Sequence, residues 1–173
     1  AKDGLSVYVH ESSPVKELSV DQLRDIYLGK TTNWNQLGGP DKKIIVYGRE
    51  NNSGTYAFFK DNVLGGKDYV SSMQSMPGTA AVVNAVSKDP NSIGYGGMAY
   101  AKGIRILPLK KNASSPAVAP TAETVGNGSY PLARYLYMYT TKRPTGAVKA
   151  YIDWILSPEG QAIATQVGYF PAR

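Results

Sequence analysis

Short apolar runs with a two-residue period alternate along this chain with segments of helical period, and no stretch repeats another. That alternation favours an α/β fold over an all-β or all-α one. Leu5 to His10 reads as a half-buried strand, with Leu5, Val7 and Val9 on one side. Ser19 and Gln22 have the spacing of a capping box, Leu23, Ile26 and Tyr27 supply a helical face, and Gly29 offers a left-handed stop. Ile44 to Gly48 reads as a buried strand whose carboxyl end points into the loop Arg49 to Asn52. Ser53-Gly54-Thr55 then opens a helix in which Tyr56, Phe58, Phe59, Val63 and Leu64 form one stripe before Gly65-Gly66.

Thr79 to Val86 reads as a further helix, and Ser92 to Tyr95 and Ile104 to Leu109 as strands, with the glycines of Gly94 to Gly97 allowing tight packing between them. Lys110 to Pro120 has the composition of a linker, and a lobe boundary is placed there. Beyond it, Tyr135 to Thr140 alternates like a strand, so Tyr135, Tyr137 and Tyr139 are expected to serve core and strand packing. Gly146 to Leu156 and Pro158 to Val167 read as helices, with Pro158 in a first turn after Ser157.

Composition narrows the chemistry. The 173 residues are 42% hydrophobic and 18% charged, enough for a real core. No apolar run approaches the roughly 18 to 20 residues of a membrane span, and Ala1-Lys2-Asp3-Gly4 has no secretory n-region, so a soluble, mature or trimmed chain is expected. With no cysteine and one histidine, His10, thiol catalysis and thiolate metal sites lack their parts, and no cofactor is indicated. The net charge of +6 would attract anions, but the basic residues are scattered, so nucleic acid is not an expected partner.

The most informative stretch is Arg49-Glu50-Asn51-Asn52-Ser53-Gly54-Thr55, where strand, loop and helix start follow in the order that builds an anion site. A helix amino terminus offers unpaired N–H donors and the positive end of the macrodipole. Gly54 lets a ligand approach the backbone, Ser53 and Thr55 add hydroxyls, and Arg49 can present a guanidinium fork to a tetrahedral anion. The same residues fit a plainer reading, in which Ser53 only caps the helix and Arg49 pairs with Glu50 or solvent. Gly29-Lys30-Thr31 mimics the end of a P-loop but follows a helix, and Arg24 stands where the motif's first glycine belongs. Asp21, Asp25, Glu123, Asp153 and Glu159 occupy helical positions typical of solvated faces, and no pair of them suggests acid–base chemistry.

Seven short motifs carry a resemblance. Leu18-Ser19-Val20-Asp21-Gln22-Leu23, Ile26-Tyr27-Leu28-Gly29, Asn33-Trp34, Arg49 with Ser53-Gly54-Thr55, Ser92-Ile93-Gly94-Tyr95, Tyr130-Pro131-Leu132-Ala133-Arg134 and Ser157-Pro158-Glu159-Gly160-Gln161 together resemble the phosphate-binding proteins of bacterial phosphate ABC importers. The resemblance implies a periplasmic-binding-protein-like fold of two α/β lobes joined by hinge strands, with phosphate in the cleft. It also implies a periplasmic or extracellular location, an ABC permease as partner and no enzymatic activity. Carried onto this chain, residues 1–10 become a hinge strand, 11–103 a nearly complete lobe with the phosphate loop, 104–120 a second hinge strand and linker, and 121–173 the carboxyl-terminal part of an incomplete second lobe. Arg49, Ser53, Gly54 and Thr55 match the family's phosphate ligands.

The family's chains are longer at the amino end, where the first lobe opens and carries an aspartate that accepts a proton from bound phosphate. Without that part the chain is expected to hold half a site and to need a separate amino-terminal fragment or a second copy over Tyr135 to Tyr139 and the helices after Gly146. Asn51 stands where some members carry an acidic residue coupled to the arginine. Two rivals remain at this point, an interaction or sensory module that needs a partner chain to complete its cleft, and a phosphoryl-transfer or hydrolytic enzyme that uses the same loop.

Overall fold

The computed structural model describes residues 1–172. It opens with β1 (Lys2–Val9), which starts before the predicted Leu5 and is buried along almost its whole length. β2 (Leu18–Ser19) leads into α1 (Val20–Tyr27), where Ser19 and Gln22 make both bonds of the capping box and Gly29, at φ +75°, takes the chain out of the helix. β3 (Ile45–Arg49) and α2 (Gly54–Asn62) follow as predicted. The short strand β4 (Gln74–Met76) is not among the predicted elements, because three residues carry too little periodicity. α3 (Thr79–Val86) has the predicted bounds, and β5 (Ser92–Gly97) runs slightly beyond its own.

The expected strand Ile104 to Leu109 divides at Pro108 into β6 (Arg105–Leu107) and β7 (Leu109–Lys110). Proline has no N–H to continue the ladder, and its carbonyl instead accepts from Leu18 N–H at 3.3 Å. The stretch read as a linker is a small hairpin: β8 (Ala117–Val118) runs antiparallel to β7, which lies parallel to β2. Its turn is held by Asn112 Oδ1, which accepts from the N–H groups of Ser114 and Ser115. α4 (Ala122–Gly126), β9 (Ala133–Tyr135), α5 (Gly146–Ile155) and α6 (Pro158–Gln166) complete the chain.

The main sheet has the order β4-β3-β5-β1-β6, with β9 also paired to β1. β3 is parallel to β4 and β5, and β1 is antiparallel to β5, β6 and β9. β1 therefore has two sets of neighbours: its carboxyl half lies between β5 and β6, and its amino end pairs Lys2 to Gly4 with β9. Both faces of β1 are covered. Leu5, Val7 and Val9 join a core with Leu23, Ile26, Tyr27 and Phe59, whereas Tyr8 joins Val82, Val83 and Val86 of α3.

Two expectations need correction. Gly94 does not serve strand–strand packing, since β1 separates β5 from β6; a Cβ on it would lie 2.6 Å from Val82 and 2.9 Å from Val86, so it lets α3 close on the sheet. Nor does Tyr135 to Thr140 form a strand. β9 ends at Tyr135, opposite Lys2, and the antiparallel direction carries the following residues past Ala1, whose carbonyl accepts the last bond, from Leu136 N–H. The ladder stops there, and among the described residues the tyrosines are not core: Tyr137 is 69% and Tyr139 90% exposed.

Candidate functional site

β3 delivers Arg49 to the carboxyl edge of the sheet, between parallel neighbours β4 and β5, and the loop after it runs straight into α2. Ligands of open α/β sheets gather outside this edge. Arg49, Ser53, Gly54 and Thr55 come together there, lining an open pocket of about 460 Å³ with Arg134 and the strip from Tyr135 to Tyr139. The site residues read from the sequence thus share one wall.

Ser53 does cap the helix: its Oγ accepts from Thr55 N–H at 3.2 Å and Tyr56 N–H at 3.4 Å. With those lone pairs engaged, its own O–H remains as a donor. A Cβ on Gly54 would meet nothing within 4 Å, so no neighbour in the protein requires glycine here; its bare backbone matters for what approaches from outside. The plainer reading of Arg49 is not what forms. Its Nη1 donates to Thr79 Oγ1 at 2.9 Å, and its Nε is buried without a hydrogen-bond partner. A buried, unpaired donor on a guanidinium is costly.

The loop is held open from beneath. Arg49 N–H donates to Tyr95 Oη at 3.4 Å, Tyr95 and Tyr69 hydroxyls lie 3.0 Å apart, and Tyr69 O–H donates to the Tyr56 carbonyl at 3.0 Å. These bonds run in one direction and tie the last residue of β3 to the first turn of α2. Burial pushes the pKa of both tyrosines up, so each hydroxyl keeps its proton. The rings stack on Phe59 and meet Tyr27 edge-on, which anchors the relay in the core.

Arg134, the middle residue of β9, reaches the same corner. Its Nε and Nη2 donate to Asp3 Oδ2 at 3.0 and 2.8 Å, Nη1 to the Gly54 carbonyl at 3.2 Å, and Nη2 also to Thr55 Oγ1 at 3.0 Å. The decoys stay apart from this site. Gly29-Lys30-Thr31 forms the exit from α1, His10 Nδ1 bonds with Ser12, and Asp21 and Asp153 pair with Arg24 and Lys149 on their own helices.

The sequence matches the PBP superfamily domain over residues 1–159. Its fold superposes with a TM-score of 0.86 on a substrate-binding protein from Clostridium perfringens assigned to phosphate ABC transport and solved with bound phosphate. That match is 34% identical and covers 100% of this chain and 70% of the other. The chain belongs to the phosphate-binding proteins of the PBP superfamily. Phosphate-binding protein PstS of Pseudomonas aeruginosa is 31% identical to it over 188 residues, and PstS of Bacillus subtilis 32% over 169. The chain spans 58% and 55% of the length of these two curated relatives, while 99% and 97% of its own length is matched.

Four participants at this corner, Thr79, Tyr69, Tyr95 and Arg134, were not singled out as site residues from sequence. Thr79 is visible only once Gly96, where a Cβ would clash with it, lets α3 approach the sheet. Tyr69 and Tyr95 look like ordinary apolar-segment tyrosines. Arg134 lies in one of the family's motifs, yet nothing in the sequence pairs it with Asp3, 131 residues away.

Proposed function

We propose that this chain is part of an extracytoplasmic, non-enzymatic solute-binding protein that captures inorganic phosphate for an ABC importer. The observation that carries the reading is the convergence of Arg49, the Ser53 and Thr55 hydroxyls and the Gly54 amide on one open pocket at the end of β3. Arg49 supplies charge and directed bonds, Ser53 and Thr55 supply hydroxyl donors, and Gly54 gives close access to the helix terminus. In this reading β1 and the segment Ile104 to Leu109, which β6 and β7 divide between them, are the hinge, residues 11–103 form the lobe with the phosphate loop, and residues 121–173 belong to the other lobe. The two sets of neighbours along β1 support that division. Closure would rotate the lobes about these strands, with the permease as partner in a periplasmic or cell-surface setting.

One wall of a cleft binds weakly. A few charge-assisted hydrogen bonds of about 1.5 to 3 kcal/mol each must offset an association cost of about 4 kcal/mol or more, which leaves affinity near the millimolar range. The exposed faces of Tyr137, Tyr139, Tyr151 and Trp154 are where a separate amino-terminal fragment, or a second copy, would complete the other lobe. Size exclusion with light scattering tests this part: association with either is expected, and a strictly monodisperse monomer of the chain alone counts against the second copy.

Calorimetric titration with inorganic phosphate tests the function. The chain should bind at roughly millimolar concentration, and Arg49→Ala should abolish binding without unfolding the protein. Undiminished affinity in that variant would refute the site. An interaction or sensory module that needs a partner to complete its cleft predicts phosphate heat only when the partner chain is present, and one that no longer binds phosphate predicts none in either case.

A further inference from the structure

Arg134 is fixed from several directions. Besides its bonds to Asp3, Gly54 and Thr55, its guanidinium lies over the Phe58 ring, 5.1 Å from the centroid. Asp3, on β1, is almost fully buried, so the pair forms a rigid brace between the central strand and the start of α2. The consequence falls on Thr55. A hydroxyl oxygen that accepts an N–H from a guanidinium turns its own hydrogen away from that cation, because an O–H aimed at the positive group would be repelled.

The same polarity recurs at Ser53, on the pocket wall, and at Thr79, which bonds Arg49. Ser53 Oγ accepts from two helix N–H groups, and Thr79 Oγ1 accepts from Arg49 Nη1. The acceptors beside Thr55, the Gly54 carbonyl and Asp3 Oδ2, are already bonded to Arg134. We propose that Arg134 is a positioning residue that fixes Thr55 as a hydrogen-bond donor, so that this wall of the site offers an anion donors only.

This inference rests on the phosphate reading and adds the ligand class that the wall selects. A donor-only surface favours a tetraoxyanion that presents acceptors on every side and has no use for a proton on the ligand. Phosphate dianion and sulfate are therefore held alike by this chain, and discrimination between them has to come from groups outside this wall.

Amide NMR titrations of the chain with inorganic phosphate and with sodium sulfate test it, using Thr55→Val, Thr55→Ser, Arg134→Lys and the Thr55→Val/Arg134→Lys double variant. Lysine keeps the charge but lacks the planar fork by which Nε, Nη1 and Nη2 hold Asp3, the Gly54 carbonyl and Thr55 at once. Thr55→Val and Arg134→Lys should each weaken phosphate binding about tenfold, the double variant no more than Thr55→Val alone, and Thr55→Ser should keep wild-type affinity. A merely structural role predicts that Arg134→Lys costs the same in both backgrounds, and that result, or an unchanged affinity in Arg134→Lys, overturns the proposal. So does a phosphate preference over sulfate of tenfold or more in the wild-type chain. If Arg134→Lys fails to fold, Asp3→Asn with Arg134→Gln removes the buried charge together with its partner and is scored in the same way. Loss of binding in Arg49→Ala with full retention in Arg134→Lys sinks this inference alone; retention in Arg49→Ala, or no binding by the wild type, sinks the phosphate reading with it.

Discussion

The body built around β1 and the carboxyl-terminal helices obey the same sequence rule and end differently. α1 presents Leu23, Ile26 and Tyr27 at helical spacing, and all three are buried. α5 presents an apolar face at the same spacing, and none of its residues is buried; Tyr151 and Trp154 stack on each other at the surface instead. Periodicity states that a helix has an apolar face. It does not state what the face meets: that of α1 lies in the core with β1, and that of α5 is exposed among the described residues.

If that contrast is sound, high pH should act on the body first and most strongly. Tyr8, Tyr27, Tyr69, Tyr95 and Tyr130 all have pKa values raised by burial above the ordinary 10.0. The folded state keeps them neutral while the unfolded chain ionises them near pH 10, so their contribution is complete below about pH 10 and falls as the pH rises beyond it. A cooperative loss of far-UV circular dichroism above pH 10 is expected; a flat stability profile to strongly alkaline pH would break the contrast.

Phe59→Ala comes next. Phe59 is buried under Tyr27 and Tyr95, and its removal should cost about 3 to 5 kcal/mol in urea denaturation. Tyr69→Phe is smaller and sharper. It removes the donor to the Tyr56 carbonyl, should cost about 1 kcal/mol, and should weaken phosphate binding by loosening the span from Arg49 to Tyr56. Trp154→Ser is the smallest, within about 0.5 kcal/mol in the chain alone, because the side chain is already 46% exposed. A larger loss would show that α5 is packed in solution.

Much of the fold was legible because it is locally encoded. The capping box at Ser19, the helix from Thr79, the strand into Arg49 and the proline-led start of α6 need only neighbours in sequence. The same holds for the Arg49-to-Thr55 element. What stayed hidden depends on residues far apart in the chain: Arg134 with Asp3, Thr79 with Arg49, and the Tyr69–Tyr95 relay. Tyr135 to Thr140 shows the opposite failure, since its alternation fits a strand and its neighbourhood provides no partner.

Diffraction from crystals of the chain grown with inorganic phosphate tests the central claim most directly. The account predicts tetrahedral density at the end of β3, within hydrogen-bonding distance of the Gly54 amide, the Ser53 and Thr55 hydroxyls and the Arg49 guanidinium. A corner closed by neighbouring side chains, or phosphate bound only elsewhere, would contradict it.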